Sequence, residues 1–177
     1  MKLYVVRHGQ TVWNADNRIC GQTDIELDET GILQAQALGR DKKLDEVDII
    51  ITSPLKRACR TARFIKGDRD IPIITDIRLT EQNYGIYEGM DRGTPGFLEN
   101  KTNFAYNYPG GGESMLRLGH RIYSLLEDLK EKYPGKTLLL VCHGGVCRMI
   151  RTYFQDMTNK EFAAYSPDNC SLAEYDM

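Results

Sequence analysis

Five residues with side chains capable of chemistry follow short apolar runs of the sequence. Arg7 and His8 follow LYVV, His143 follows LLLVC, Arg57 comes one helical turn after DIIIT, and Glu81 comes soon after IPIIT. In an open parallel sheet, the carboxyl ends of the strands face one crevice, which is where ligands bind. We therefore expect these five side chains to meet at a single site.

The chemistry of this set points to a phosphate group. Cations that lie close together without a cluster of carboxylates repel one another unless an anion binds among them. Planar guanidinium groups match phosphate oxygens bidentately, and helix N-termini add backbone donors. RHG at 7–9 and HGG at 143–145 both precede predicted helices. A neutral imidazole at His8 could then attack phosphorus and hold the phosphoryl group as phosphohistidine.

The strands that must position these residues are visible as apolar runs of strand length. They lie at residues 3–6, 48–52, 71–75 and 137–141, and helical patterns separate most of them. This alternation predicts a three-layer α/β fold in which helices flank a mostly parallel central sheet. The closing CSLAEYDM alternates like an edge strand. We expect one domain over residues 1–177, a length that suits a single buried core.

The predicted helices begin at capping residues or directly after glycines. The first runs from Asp28 to about Gly39, and the second begins at Ser53-Pro54, with Ser53 as N-cap and Pro54 as first helical residue. The third begins at Ser114, the fourth follows HGG at 143–145, and the fifth begins at Thr158 in the capping box TNKE. Apolar residues repeat along one face of most of these segments, which indicates helices that pack against the sheet.

Residues 85–112 interrupt the periodic pattern and are rich in glycine and proline. This loop-rich insert is nevertheless aromatic: Tyr84, Tyr87, Phe97, Phe104, Tyr106 and Tyr108 lie in or beside it. A purely solvated linker would not carry so many rings. We therefore interpret the insert as a short lid over the site.

Composition and charge exclude several classes of partner. The formal net charge is −2, and the 23 lysines and arginines are spread along the chain, so neither a nucleic acid nor a membrane surface is an expected partner. The apolar runs are too short to span a membrane, and the N-terminus does not resemble a signal peptide. The expected location is the cytoplasm, and the expected assembly is a monomer or a homodimer.

Cysteine and histidine usage argues against a metal or another cofactor. The five cysteines are odd in number and form no CxxC pair. The chain has only three histidines, and none of them lies in an HExxH pattern. We expect no metal site and no cofactor. His120 lies in a predicted amphipathic helix without a motif partner, which favours a structural role.

Six sequence blocks together resemble the histidine phosphatase superfamily, which includes phosphoglycerate mutases and many small-molecule phosphatases. The blocks are RHGQTVWN at 7–14, GQTDIELDETGILQA at 21–35, TSPLKRACRTA at 52–62, LTEQNYGIYEG at 79–89, PGGGES at 109–114 and VCHGG at 141–145. They stand in the family's order over essentially the whole chain. The third glycine of PGGGES departs from the family pattern and concerns only the exit from the lid.

The resemblance implies a role for each residue of the expected site. His8 is the implied nucleophile, while Arg7, Arg57 and His143 bind the phosphoryl oxygens. Glu81 matches the proton donor, with Glu88 as the alternative acid in the same block. Further substrate contacts fall, by the same resemblance, on Asn14, Gly21, Gln22 and Gly144.

The function implied is hydrolysis of a small phosphorylated metabolite, and three alternatives stay open. A phosphoglycerate mutase would need basic groups for a second anion, whereas the insert offers only two cations, Arg92 and Lys101, beside three acidic residues. A phosphoprotein phosphatase would typically lack a sizeable lid. A catalytically inactive phospho-ligand binder should have lost part of the catalytic set, which is complete in this chain.

Overall fold

A five-stranded sheet organises the structure, a computed structural model that describes residues 1–177. Its strands are β1 (Lys2–Arg7), β2 (Ile49–Thr52), β3 (Ile73–Thr75), β4 (Thr137–Cys142) and β5 (Leu172–Asp176). Their order across the sheet is β3-β2-β4-β1-β5. All neighbours are parallel except β5, which runs antiparallel to β1 at the edge. The predicted mostly parallel sheet is confirmed.

Two strands begin later than the sequence predicts: β2 starts at Ile49, one residue after the predicted position 48, and β3 starts two residues late. β3 begins at Ile73 rather than at residue 71. The residue before it, Pro72, accepts a hydrogen bond from the Ile50 N–H but has no N–H of its own to donate. A proline cannot complete a ladder of paired backbone groups, so regular pairing starts one residue later.

Seven helices surround the sheet. They are α1 (Val12–Ala15), α2 (Glu29–Leu38), α3 (Lys56–Lys66), α4 (Phe97–Asn100), α5 (Met115–Lys132), α6 (Gly144–Phe154) and α7 (Asn159–Ala164). Asp28 and Ser114 cap α2 and α5 as predicted, and Thr158 forms a capping box with Glu161 at α7. None of the helices combines the length and the apolar character needed to cross a membrane.

The predicted start of α3 is wrong. Leu55, not Ser53, is the N-cap residue, and the helix begins at Lys56. The Ser53 side chain still accepts a weak hydrogen bond from the Leu55 N–H at 3.3 Å, but it also contacts the His143 ring at 2.8 Å. The serine therefore connects two strand ends at the crevice instead of starting the helix.

Two hydrophobic clusters lie on opposite faces of the sheet and make the three layers. Along β4, Leu138 and Leu140 face the cluster that packs against α5 and α6, while Leu139 and Val141 face the cluster under α3. Alternate residues of a strand point to opposite faces, so a strand buried on both sides reads as a continuous apolar run. This burial explains why the runs of the sequence locate β1, β2 and β4 well.

The lid, residues 85–112, packs on its own aromatic cluster. Ile19, Tyr84, Phe97 and Tyr108 are buried together, and the Tyr84 ring meets the rings of Phe97 and Tyr108 edge to face at centroid distances of 5.2 and 5.3 Å. Consecutive glycines at 110 and 111 adopt left-handed φ values of 76° and 82°, which turn the chain towards α5. The aromatic residues thus mainly hold the lid together.

Candidate active site

His8 lies at the carboxyl end of β1 with its two ring nitrogens in different environments. Nδ1 lies 2.7 Å from the Gly9 carbonyl oxygen, and Nε2 lies 3.2 Å from Arg57 Nε. A carbonyl oxygen can only accept and a guanidinium N–H can only donate, so Nδ1 carries the proton and Nε2 carries the lone pair. The contacts therefore select the neutral tautomer, in which the lone pair lies on Nε2 and accepts a hydrogen bond from Arg57 Nε.

Arg57 is fully buried and held by backbone carbonyls. Its Nη1 donates to Thr23 O at 2.9 Å and its Nη2 donates to Gly21 O at 2.5 Å. These two bonds fix the guanidinium plane and leave Nε directed at His8. The turn at residues 20–23 thus positions the Arg57 guanidinium beside the His8 ring.

Two buried nitrogen atoms at this site have no hydrogen-bond partner in the protein, namely Arg7 Nε and His143 Nδ1. Arg7 Nη1 donates to the Pro167 carbonyl at 2.6 Å, and His143 Nε2 is paired with Ser53. The His8 and His143 ring centroids are 5.1 Å apart. Since buried polar groups are rarely unpaired, the Arg7 N–H without a partner in the cavity wall favours a ligand with acceptor oxygens there. His143 Nδ1 is a second such donor in the tautomer whose Nε2 accepts the Ser53 hydroxyl proton.

Glu81 faces the same cavity from the segment after β3. Its Oε1 accepts a hydrogen bond from its neighbour, the Gln82 N–H, at 2.8 Å, and its Oε2 accepts one from the Gly145 N–H, in the first turn of α6, at 2.9 Å. A Cβ atom added at Gly145 would lie only 2.6 Å from Oε1. The glycine therefore allows the helix N-terminus to hold the carboxyl group in place.

The surroundings of His8 and His143 favour the neutral form of both rings. Burial lowers the pKa of His8 well below its usual range, and the nearby Arg57 and Arg7 guanidiniums lower it further. Burial, Arg57 and His8 lower the pKa of His143 in the same direction. The cations around His8 thus preserve the lone pair that nucleophilic attack requires.

Three of the five predicted site residues, Arg7, His8 and Glu81, line one cavity of about 60 Å³, enough for a few water molecules or a small anion. Arg57 and His143 do not line it and contact the site through His8, at 3.2 Å from its Nε2 and 5.1 Å between ring centroids. Arg7, His8, Asn14, Glu81 and Gly144 form part of its wall. Cations, an imidazole lone pair and a carboxyl group thus lie close together. They come from the segments that follow strands β1, β3 and β4 and from the start of α6. Such a set can bind a phosphoryl group, accept it on nitrogen and protonate a leaving oxygen.

Comparison with known proteins agrees with this geometry. A family model for the histidine phosphatase superfamily (branch 1) matches residues 3–177. The chain belongs to the histidine phosphatase superfamily.

Relatives of this chain within the superfamily carry both phosphatase and mutase names. The uncharacterized phosphatase PhoE of Bacillus subtilis is 38% identical over 149 residues, which cover 84% of this chain and 74% of PhoE. The probable phosphoglycerate mutase GpmB of Yersinia pestis is 33% identical over 182 residues, which cover 99% and 85% of the two chains. A solved mycobacterial glucosyl-3-phosphoglycerate phosphatase in complex with VO3 superimposes with a TM-score of 0.86 at 28% identity, covering 98% and 91%.

The four predicted substrate residues of this superfamily member divide into two groups. Asn14 and Gly144 line the cavity. Gly21 and Gln22 lie behind it: the Gly21 carbonyl holds Arg57, and Gln22 Nε2 donates to the Glu81 carbonyl at 3.0 Å. The structure therefore gives Gly21 and Gln22 contacts with the catalytic candidates rather than with the cavity.

The two candidate acids are separated by the structure. Glu88 does not line the cavity, and its carboxylate accepts hydrogen bonds from the backbone N–H groups of Gln22 and Thr23 at 2.8 and 2.7 Å and from the Thr23 hydroxyl. This contact ties the lid to the turn at residues 20–23. Glu81 alone brings a carboxyl group to the cavity.

Several cavity residues were not predicted as site residues. Arg148 and Ser166 were not singled out in the sequence, and Arg92 and Lys101 were noted only as cations of the insert. Arg148 had a usable signal, because it follows Gly144 by four residues and so shares a face of α6 with it. The Pro167 carbonyl that binds Arg7 and the Asn169 side chain that donates to His8 O at 2.8 Å belong to a loop far away in sequence, and no local pattern marks them.

No group of three or more histidine, cysteine, aspartate or glutamate side chains lies close enough together to hold a metal ion. His120 is exposed and lies beside a different, more apolar cavity between α5 and α7.

Proposed function

We propose that the chain hydrolyses phosphate monoesters of small metabolites through a phosphohistidine on His8. The observation that carries this proposal is the pair of contacts at the His8 ring: Nδ1 lies 2.7 Å from the Gly9 carbonyl oxygen, which assigns the proton to Nδ1, and Nε2 faces the Arg57 guanidinium at 3.2 Å. A buried imidazole so arranged is a nucleophile with its charge-stabilising partners already in place.

In the first half-reaction, His8 Nε2 forms a bond to phosphorus as the bond from phosphorus to the ester oxygen breaks. Arg7, Arg57 and His143 stabilise the charge on the non-bridging oxygens, which supply acceptors for the unpaired Arg7 Nε and His143 Nδ1. Glu81, in its protonated form, gives its proton to the departing oxygen.

In the second half-reaction, water attacks the phosphorus of the phosphohistidine. Glu81, now a carboxylate, takes the proton from the attacking water, and the nitrogen–phosphorus bond breaks. Inorganic phosphate leaves, His8 regains its neutral form, and Glu81 is protonated for the next cycle. The backbone N–H of Gly145 holds the carboxyl group in place through both steps.

Names and ligands of the relatives support this proposal. PhoE carries a phosphatase name, and the mycobacterial phosphatase was solved with VO3 bound. Vanadium oxyanions imitate the five-coordinate phosphorus of a phosphoryl-transfer transition state, and transition-state analogues bind more tightly than substrates. We therefore expect vanadate to compete with substrate in this chain too.

Mutase activity is the second candidate, because the cavity wall contains more cations than the sequence suggested. Arg92, Lys101 and Arg148 all line it, and GpmB carries a mutase name. A mutase would return the phosphoryl group from His8 to a second hydroxyl of the substrate instead of to water. With phosphoglycerate as substrate, release of inorganic phosphate supports the phosphatase, and an isomeric phosphoglycerate supports the mutase.

The deciding experiment measures phosphate release from a panel of phosphorylated metabolites and acid-labile phosphate on the denatured protein. Wild type should show both. His8→Ala should show neither, whereas His120→Ala, the matched control at the exposed third histidine, should behave as wild type. Phosphate release that persists in His8→Ala would overturn the proposal.

A further inference from the structure

The block PGGGES at residues 109–114 has no part in the proposed mechanism, yet its glutamate belongs to an ion pair behind the candidate acid. The Glu113 carboxylate accepts two hydrogen bonds from the Arg121 guanidinium, from Nε and from Nη2, both at 2.8 Å. The two side chains are only 15% and 17% exposed. A bidentate contact of this kind fixes the guanidinium plane as well as its position.

Arg121 uses its other donor contacts on the segment that carries Glu81. Its Nη1 donates to the Arg78 carbonyl, and its Nη2 also donates to the Glu81 carbonyl at 3.2 Å. Long side chains of a helix lean towards the helix N-terminus, so a residue in the second turn of α5 can reach this segment. One guanidinium therefore holds the backbone at both residues 78 and 81.

The Glu113 backbone holds the same segment further along the chain. Its N–H donates to the Asn83 carbonyl at 2.8 Å, and its carbonyl accepts a hydrogen bond from Gln82 Nε2 at 3.0 Å. Residues 80–84 belong to no helix or strand. Because no regular ladder of backbone hydrogen bonds fixes this stretch, its position depends on contacts such as those of Glu113 and Arg121.

The position of this backbone decides where the Glu81 carboxyl group lies. One of the two N–H groups that hold the carboxyl group belongs to Gln82, within the same stretch, and the other belongs to Gly145 on α6. If the stretch moves, the carboxyl group leaves the place that the Gly145 N–H defines. A displacement of about 1 Å at a reacting group can lower a rate about 100-fold.

We propose that Glu113 and Arg121 form a positioning pair, which holds residues 78–83 and thereby places the Glu81 carboxyl group beside the leaving oxygen. This inference rests on the proposed function, in which Glu81 gives a proton to that oxygen and later takes one from water. Neither residue of the positioning pair lines the cavity. The pair therefore acts on the reaction through Glu81.

The test compares two substrates that differ in their need for an acid, propyl phosphate and p-nitrophenyl phosphate. Arg121→Met removes the guanidinium and keeps an unbranched side chain. It should lower kcat for propyl phosphate about 10- to 100-fold, because a displaced Glu81 transfers its proton poorly. With p-nitrophenyl phosphate, the burst of nitrophenolate should keep its wild-type rate. Phosphohistidine should then accumulate, since Glu81 is displaced as the base too.

A double variant shows whether the two residues act as one unit. Glu113→Gln should lower kcat for propyl phosphate by a smaller factor than Arg121→Met, because the amide keeps one acceptor oxygen for the guanidinium. Residues that act through one contact are not additive. Glu113→Gln/Arg121→Met should therefore lose no more activity than Arg121→Met alone, whereas losses that multiply would contradict a positioning pair.

Arg78→Met is the matched control, because it breaks ion pairs on the same segment. The Arg78 guanidinium bonds Asp76 and Asp128, and its side chain makes no hydrogen bond to Glu81. The Arg78 carbonyl that Arg121 contacts is unchanged by this substitution. Arg78→Met should therefore keep the wild-type ratio of kcat for the two substrates.

Amide hydrogen exchange tests the positioning pair without any turnover. The Gly145 N–H donates to the Glu81 carboxyl group, so its exchange reports on the position of that group. Exchange at Gly145 and at residues 80–84 should become faster in Arg121→Met and in Glu113→Gln but not in Arg78→Met. Unchanged exchange at these amides would overturn the inference.

The outcomes also separate this inference from the proposed function. Absence of turnover and of phosphoenzyme in wild type would refute the phosphatase proposal, while exchange still tests the positioning pair. If Glu81→Gln behaves as a defective acid but Arg121→Met slows both substrates and the burst by one factor, only the positioning pair is overturned. Where the melting temperature shows that Arg121→Met is unfolded, Glu113→Gln and Arg121→Lys provide the answer, since a lysine cannot replace the bidentate contact.

Discussion

Replacing Glu81 by glutamine tests the role of this side chain, because the structure sets the size of two separate effects. Both carboxyl oxygens accept a backbone N–H, from Gln82 at 2.8 Å and from Gly145 at 2.9 Å. A glutamine has one oxygen and one amide nitrogen, so one buried N–H must face another donor. We expect the free energy of unfolding to fall by about 1–3 kcal/mol, the cost of an unsatisfied buried group.

The catalytic effect should be larger and should depend on the leaving group. An alkoxide is strongly basic and needs a proton, so Glu81→Gln should lower kcat for an alkyl phosphate by about 10²- to 10⁴-fold, or about 3–5 kcal/mol. The phenolate of p-nitrophenyl phosphate leaves without a proton. In Glu81→Gln, the first half-reaction with p-nitrophenyl phosphate should therefore stay fast. Hydrolysis of the phosphohistidine needs Glu81 as a base and should become slow.

Rapid mixing of Glu81→Gln with p-nitrophenyl phosphate should therefore give a burst of nitrophenolate near one equivalent per enzyme, with acid-labile phosphate left on the protein. Glu88→Gln is the matched control, since Glu88 also accepts backbone N–H groups but lies outside the cavity. Glu88→Gln should lower the free energy of unfolding but should change kcat for the alkyl phosphate and for p-nitrophenyl phosphate by the same factor. Equal slowing of both substrates by Glu81→Gln, with no phosphoenzyme trapped, would refute Glu81 as the acid and leave Glu88 as the next residue to test.

Three further predictions follow from the same contacts. Burial and neighbouring charges lower the pKa of His8 and of His143 well below 6.5. Below pH 6.5, the unfolded chain therefore binds two protons that the native state does not bind. The free energy of unfolding should fall by about 2 kcal/mol from pH 6.5 to 5.5 as a result. Urea titrations measure this loss, and an equal loss in the His8→Ala/His143→Ala double variant would contradict it. Gly145→Ala places a Cβ 2.6 Å from Glu81 Oε1 and should lower kcat on alkyl phosphates about 100-fold, whereas Gly119→Ala, whose Cβ would meet only Met149 at 3.4 Å or more, should retain activity. EDTA should leave turnover intact, since cationic side chains stand where a metal would act; activity lost in chelator and restored by a divalent ion would count against the mechanism.

The central site was predictable because backbone topology alone brings its parts together. β1 and β4 are neighbouring parallel strands whose register pairs Arg7 with Cys142, so His8 and His143 follow at adjacent positions. An apolar run buried on both faces identifies each strand without any side-chain detail. The rule that ligands bind at the carboxyl ends of such strands then gives the site.

The outer part of the cavity was not predictable, because it depends on where loop side chains turn. In sequence, Arg92 and Lys101 are balanced by Glu88, Asp91 and Glu99, which suggested an insert poorly suited to bind anions. In the structure, Glu88 bonds the turn at residues 20–23 and Asp91 bonds Asn17 and Gly93, so neither offsets the cations at the cavity. Counting charges along a loop misses this separation because their positions in space, not their number, decide the local field.

In the proposed mechanism, one electrostatic arrangement serves both the nucleophile and the binding of phosphate. Arg7 and Arg57 lower the pKa of His8 and so keep its Nε2 lone pair available, and the same charges attract the dianion that Nε2 attacks. The arrangement is unfavourable on its own: burial and the charge of Arg92 also lower the pKa of Arg7, and Arg7 Nε lacks a partner. A site selected only for stability would pair or remove these charges. In this protein, Arg7, Arg57 and Arg148 are buried and are held by backbone carbonyls rather than by carboxylates. A site that completes its hydrogen bonds with a phosphate ester requires such unpaired cations.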